Sequence, residues 1–363
     1  MKIAFVSHYC AFHYRGIGGT ESFARRLAHG LAQNDDQVSF LVYGWMGSPP
    51  PQPSLPGIRL YYFDKFVELL DFIQTMDFDH IITVYIRRKD RLRYALFRHA
   101  FRKKTKFHIV HLGWHPKGWG RILRLFELRL APYNGFIFTV SPRLYREALR
   151  CTNRVVHLWP PVPDHYFVSP EAKAPNTTLN VSFIGRLDSG KGIYEALDIF
   201  AFFRERFGAT CHVYGLYSEG LPESRILHQR LQTMPEVIYI PVEREAYSEN
   251  VEERIRQRLL QTDLLVLPYR VLHSSIDTPL LILEGMASLC AIVTPAHNHI
   301  RELYGNSPFL VDQNLNDWKQ GFQDQNIEKI LQMERQRLWF RNQQLDFHSS
   351  SIVRLFRQVL KDG

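Results

Sequence analysis

Short apolar runs alternate with helix-patterned stretches along this chain, stop near its middle, and then start again. That rhythm limits the fold more than any other feature, because strands separated by helices pair in parallel within a doubly wound sheet. In the first half, Lys2–Val6, Val38–Tyr43, His80–Val84, Phe107–Val110 and Gly135–Val140 read as strands. After the first of them, Thr20–Gln33 carries Phe23, Ala24, Leu27, Ala28 and Leu31 at helical spacing. A proline-rich stretch from Pro160 to Pro175 breaks the pattern, since proline is excluded from helix interiors and central strands. The alternation resumes at Leu179–Ile184 and continues through Thr210–Tyr214, Val237–Ile240, Leu264–Leu267 and Ala291–Thr294. Two α/β domains follow, 1–165 and 166–340, with 341–363 expected as a C-terminal helix crossing back to the N-terminal domain.

A length of 363 residues with 45% apolar content is enough for two such cores. Cys10, Cys151, Cys211 and Cys290 lie far apart with no C-x-x-C pair. This excludes a disulfide scaffold and a thiolate zinc site, and points to a reducing compartment. The opening Met1–Val6 run is too short for a signal peptide. The most apolar longer stretch, Thr278–Ala296, is interrupted by Glu284, Gly285 and Ser288, so no membrane span is expected. A cytoplasmic location follows.

Net charge is 45 − 36 = +9, and the excess is concentrated. Between Arg87 and Lys106 ten basic residues face one acid, Asp90, with Leu92, Tyr94, Leu96, Phe97 and Phe101 interleaved. Such a field attracts polyanions. A nucleic-acid reading has charge alone behind it, with no recognition motif. An anionic membrane surface or a solvated face are the remaining readings.

Three segments carry chemistry. Gly16-Ile-Gly-Gly-Thr-Glu21 follows the first strand and opens a helix, where backbone N–H groups can meet a phosphate. It lacks the G-x-G-x-x-G spacing of a dinucleotide site, and a loop glycine needing positive φ is the bland alternative. Phe183-Ile-Gly-Arg-Leu-Asp-Ser-Gly-Lys-Gly192 is a strand, a turn and a helix start. Arg186 and Lys191 can point from it at one anionic group, or remain solvated cations. Ser274–Ala287 buries Glu284 in an apolar helix, where the carboxylate needs a partner such as a ribose diol or an arginine. Asp77-Phe-Asp79 has the D-x-D form of some metal-dependent transferases, but here it reads as a helix-to-strand turn. His111 and His115 could be metal ligands four apart, yet Gly113 and Pro116 disfavour the helix that would present both. No metal site is expected.

Taken in order, Gly18-Gly19, Gly185–Gly192, Thr262-Asp-Leu-Leu-Val-Leu-Pro268 and Glu284-Gly-Met-Ala287 resemble the pattern of glycosyltransferase family 4 over essentially the whole chain. The resemblance implies a GT-B fold: two Rossmann-like domains facing across a cleft, the first binding acceptor and the second a nucleotide sugar. It implies that Arg186 and Lys191 hold the donor diphosphate, Glu284 the ribose, and the Gly18-Gly19 loop completes the site. No metal or other cofactor is then needed, because the cations and a helix N-terminus neutralise the leaving diphosphate. It implies a histidine near the anomeric carbon, His111 being favoured over His115. Two departures surround the donor sugar. The family's first glutamate is replaced by Ile276, so that either Asp277 beside it substitutes or the role is absent, and its glycine pair reads His297-Asn298-His299. The implied activity is retaining transfer from a UDP- or GDP-sugar to a hydroxyl of a lipid-linked or growing glycan. The resemblance also implies peripheral attachment to the inner face of the cell membrane through the basic stretch. A sugar-nucleotide 2-epimerase and a nucleotide-sugar-binding pseudoenzyme are the rival readings.

Overall fold

A computed structural model describes residues 1–13, 16, 18–47, 57–101, 104–113, 128–129, 134–173, 176–243, 251–270, 276–311, 315–323 and 325–362. The chain divides into two compact units. The first comprises Met1–Pro163, Ser275–Thr278 and Phe347–Gly363, and the second Asp164–Ser274 and Pro279–Asp346.

The first unit is built on strands β1 (Lys2–His8), β2 (Gln37–Tyr43), β3 (Ile58–Phe63), β4 (His80–Tyr85), β5 (Lys106–His111), β6 (Ile137–Thr139) and β7 (Val155–His157). All pairings are parallel, in the order β3-β2-β1-β4-β5-β6-β7. The second unit holds β8 (Asn180–Arg186), β9 (Thr210–Tyr217), β10 (Ile238–Glu243), β11 (Leu264–Val266), β12 (Ala291–Pro295) and β13 (Leu310–Val311). Its sheet, again parallel, runs β10-β9-β8-β11-β12-β13. Both orders reverse direction once, between β1 and β4 and between β8 and β11. In open parallel sheets ligands bind at the carboxyl ends of the strands at this point.

Each sheet is buried by its crossover helices because the strands are apolar on both faces. Ala4, Val6, Leu41, Leu69 and Ile81 belong to one core cluster of the first unit, and Val181, Phe183, Ile199, Val213 and Leu264 to that of the second. In the first unit, helix Ser349–Asp362 packs on helix Gly19–Ala32. A Cβ at Gly30 would overlap the Val353 side chain, so glycine is required for this close approach. Arg357 Nε donates to the buried Asp36 carboxylate at 2.8 Å.

In the second unit, Asp263 anchors the first residues of β8. Its Oδ2 accepts from the backbone N–H of Asn180 at 2.9 Å and from Asn176, while Arg335 pairs with Oδ1 at 2.6 Å. The buried Lys173 ammonium donates to the carbonyls of Leu259 (3.2 Å), Thr262 (2.7 Å) and Ser288 (2.6 Å). It thus caps the C-terminal ends of helices Val251–Gln261 and Leu280–Ala287, where orphan carbonyls and dipoles favour a cation. Asp79 lies at the amino ends of the strands, its Oδ2 accepting from the Lys2 N–H at 2.7 Å. That position is opposite to the ligand edge of the sheet.

Candidate functional site

The Gly185–Gly192 motif folds as a strand end, a 3₁₀ turn and a helix start. Arg186 closes β8, and Leu187 turns inward to 1% exposure. Asp188 caps the turn Ser189–Lys191 by accepting from the Lys191 N–H at 2.9 Å. Gly192 has φ +76°, and a Cβ there would overlap the Pro268 carbonyl. Two separate motifs are locked together at that contact. The glycine is needed both for its left-handed backbone and for the close approach.

Pro268 lies two residues past the end of β11, so the loop Leu267–Arg270 lies at the carboxyl edge beside β8, at the reversal point of the second sheet. Tyr269, 5% exposed, faces Lys191: the ammonium lies 4.9 Å from its ring centroid. Burial, then the positive charge of Arg186, lowers the Lys191 pKa to about 8, while Asp188 opposes the shift. Burial, then the Glu284 charge, pushes the Tyr269 phenol up, with Arg186 acting the other way. Lys191 lies against the Tyr269 ring, and Arg186 and Glu284 both act electrostatically on that same side chain. Arg186 Nε lies 3.3 Å from Asp188 Oδ2 in an ion pair that is about one-third exposed to solvent, which leaves the guanidinium able to exchange partners.

Glu284 is 5% exposed in helix Leu280–Ala287. The next residue, Gly285, brings that helix down on the sheet, since a Cβ there would stand 2.8 Å from Leu265 Cδ2. Apolar burial of the helix forces Glu284 into the interior, where its charge is felt by Tyr269. His297 occupies the N-cap position of helix Asn298–Tyr304 after β12, and its ring lies nearly parallel to that of the buried His299, with centroids 6.4 Å apart. The Asn298 side chain lies outside the described residues.

The remaining sequence candidates belong to the first unit. Gly18 is the N-cap of helix Gly19–Ala32 with φ −69°, so no positive φ explains it. Gly19 is explained by packing: a Cβ would be 3.1 Å from Ile276 Cγ1. Ile276, at the position where the family has its first glutamate, is 5% exposed. Asp277 is completely buried and directed at other groups of the first unit. Ser141 Oγ donates to its Oδ2, Arg143 donates from Nε at 3.2 Å and also from Nη2, and the Asp277 N–H donates to Leu112 O at 2.7 Å. Ser141 is at the same time the N-cap of helix Pro142–Leu149, accepting from the Leu144 N–H at 3.1 Å.

His111 is the last residue of β5 and 1% exposed, at the carboxyl edge of the first sheet. His115 lies outside the described residues. At the β1/β4 reversal of the same sheet, Tyr9 is 40% and Tyr85 37% exposed, and the Arg87 guanidinium stands 6.0 Å from the Tyr9 ring centroid. Among the described residues no group of three metal-ligating side chains forms a cluster.

No protein-family model matches the chain, and no curated protein matches it. Solved structures do. A sucrose-phosphate synthase from Thermosynechococcus elongatus superposes with a TM-score of 0.71 at 14% identity, covering 100% of both chains. HepE from Anabaena, in complex with UDP-glucose, gives 0.68 at 13% identity with 100% of both chains covered. A mutant of TarM from S. aureus, in complex with Fondaparinux, alpha-GlcNAc-glycerol and UDP, gives 0.69 at 9% identity, covering 99% of each. At these identities the likeness establishes the fold. The chain has the two parallel-sheet α/β domains of the GT-B architecture.

Proposed function

We propose that this chain is a retaining glycosyltransferase of family 4, transferring a sugar from a nucleotide diphosphate, a UDP- or GDP-sugar, to a hydroxyl of a lipid-linked or growing glycan. The observation that carries the reading is the pairing of Arg186 and Lys191 at the β8/β11 reversal, beside a Tyr269 side chain that also feels the buried Glu284 charge. Two cations suit a diphosphate, and a buried carboxylate acting on the same tyrosine suits a ribose diol. Neighbours with the same fold, in complex with UDP-glucose or UDP, support a nucleotide donor. Lys191 and Arg186 neutralise the charge developing on the departing diphosphate, and helix Ile193–Phe207 begins immediately after them. That arrangement requires no metal. His111 is assigned to the sugar-facing end of the first unit.

Lys191→Ala should reduce kcat/KM by about 30- to 1,000-fold, the effect of removing one donor from a developing anion. Lys191 also fixes the pH dependence. Its pKa of about 8 means the cation is lost as pH rises through 8, so kcat/KM falls on that limb, and the variant should lack it. EDTA should leave turnover intact. Wild-type turnover in the variant, or loss on chelation with rescue by Mn²⁺, overturns the clamp.

One observation favours a rival reading, binding of a nucleotide sugar without transfer: Ile276 is apolar and Asp277 is committed to Ser141 and Arg143. Thermal-shift screening with UDP-, GDP-, ADP- and TDP-sugars identifies the donor, since a ligand bound only by the folded state raises the midpoint. Product analysis then separates transfer, epimerisation and mere binding.

A membrane-bound acceptor is part of the proposal. Helix Arg88–Ala100 exposes Leu92 at 72% and Leu96 at 64%, with Lys89 and Arg93 also exposed. This is the composition of an interfacial helix on anionic lipid. Arg98 is not part of that face, being 5% exposed with its guanidinium 5.6 Å from the Tyr94 ring centroid. No described helix is long and apolar enough to cross a membrane. Replacing Lys89, Leu92, Arg93 and Leu96 by Glu should weaken binding to phosphatidylglycerol vesicles by about tenfold or more, with the largest change at low salt. A wild-type chain that ignores these vesicles has a solvated face here and a soluble acceptor.

A further inference from the structure

Tyr269 was not singled out by the sequence, yet three contacts fix its place. On one side Pro268 presents its carbonyl to Gly192, so closely that only glycine fits. On the other side Arg270 pairs through Nε with Glu195, on the helix that begins at Ile193. The residue between is thereby clamped against the Ser189–Gly192 turn, and its buried ring stands 4.9 Å from the Lys191 ammonium. The Lys191 backbone is held separately by the Asp188 cap. Backbone and side chain of Lys191 thus have independent supports.

We propose that Tyr269 is a positioning residue that holds the Lys191 ammonium over its ring, aimed at the diphosphate of a nucleotide donor. The inference rests on the reading of this turn as the diphosphate site. A lysine side chain is long and flexible and loses substantial entropy when immobilised. A ring that already faces the ammonium removes part of that cost before the ligand arrives. The ring quadrupole attracts the cation while its apolar body excludes water, which strengthens the field that a diphosphate meets. The phenol, pushed up by burial and by Glu284, stays neutral throughout the working pH range. It adds no opposing charge.

The test is calorimetric titration of the full chain with UDP, GDP, ADP and TDP, followed by variants measured with the nucleotide that binds. Tyr269→Phe keeps the ring and should bind within about twofold of wild type. Tyr269→Leu removes it and should lose roughly 3- to 30-fold in affinity, the range of a cation–π contact. In the Lys191→Ala background the same Tyr269→Leu change should cost less than about twofold, because the ring then has no ammonium to hold. An equal loss in both backgrounds means that Tyr269 acts structurally, and overturns the proposal, as does a Phe variant as weak as Leu. If no diphosphate binds the wild type, the donor reading itself has failed, and that result is distinct from a wild type that binds and a Leu variant that binds equally well. A second measurement needs no Tyr269 variant. After reductive methylation with labelled formaldehyde, the Lys191 methyl resonance, identified by its absence in Lys191→Arg, should be displaced upfield by the ring current. A Lys191 resonance at the position of solvated lysines overturns the proposal.

Discussion

Asp277→Asn should destabilise the first unit by about 3 kcal/mol, at the lower end of what breaking a buried ion pair costs. The wild-type carboxylate is completely buried and accepts from the Ser141 hydroxyl and from two nitrogens of Arg143. Asparagine has nearly the same shape, but it offers one acceptor oxygen and turns an NH₂ group toward donors. The Arg143 side chain is 33% exposed and regains water, which keeps the loss from the top of the range. Ser141→Ala should cost about 1 kcal/mol through the missing cap of helix Pro142–Leu149. Denaturant unfolding, followed by hydrogen exchange in peptides of the first unit, measures both. A fully stable Asp277→Asn that has lost transfer would instead give this carboxylate a role at the donor sugar.

The same residue shows where sequence reading ended. Asp277 was visible as the acid beside Ile276, one place from the family's glutamate, but which way its carboxylate points depends on Ser141 and Arg143, 136 and 134 residues away. Nothing local marks them. Arg186, Lys191 and Glu284 were legible because each is a polar residue in a distinctive setting: two cations around a glycine turn, and an acid in an apolar helix. Tyr269 was not, since a tyrosine after a buried strand looks like any core aromatic. Most strands were legible from apolar runs, and several were read too short at their carboxyl ends. The reading stopped where polarity began, at Val6, Val84, Val110 and Ile184, whereas the ladders continue to His8, Tyr85, His111 and Arg186. Those extra residues lie at the carboxyl edge, where a parallel sheet presents its polar groups to ligands. β3 was not among the strands read from the sequence, and the short β7 and β13 are too brief to show periodicity.

Acidification from pH 7.5 to 5.0 should weaken the first unit well before the second. His8, His80 and His157 have pKa values lowered to about 4 and His108 to about 3, burial being the first cause in each. Lys106 adds to the shift at His80 and His108, and Arg87 at His8. In the second unit His212 is lowered to about 4, by burial and then Arg258. The hydrogen bonds explain why protons are refused. The Phe136 N–H donates to His108 Nδ1, so His108 Nε2 carries the hydrogen and donates to His80 Nδ1 at 3.1 Å. Each of these acceptor nitrogens is already occupied by an N–H, and an added proton would collide with it. The Cys10 N–H occupies His8 Nδ1 in the same way at 3.1 Å. Because the folded pKa lies below the unfolded value near 6.5, the unfolded chain takes up protons first as pH falls. Stability is therefore complete above pH 6.5 and is lost between 6.5 and about 4. A histidine lowered to about 4 forfeits roughly 2 kcal/mol by pH 5.0. The coupled pair His80 and His108 together forfeit about 3–4 kcal/mol, a large share of the ~5–15 kcal/mol that holds a domain folded. Hydrogen exchange at pH 7.5 and 5.0 should show protection falling further in β4, β5 and β6 than in β8 and β9, where His212 alone is lowered in this way. His80→Asn should flatten the pH slope whatever it does to stability at neutral pH, because a group that no longer titrates contributes none. Equal protection at both pH values, or earlier opening of the second unit, would show that these histidines accept protons without breaking their bonds.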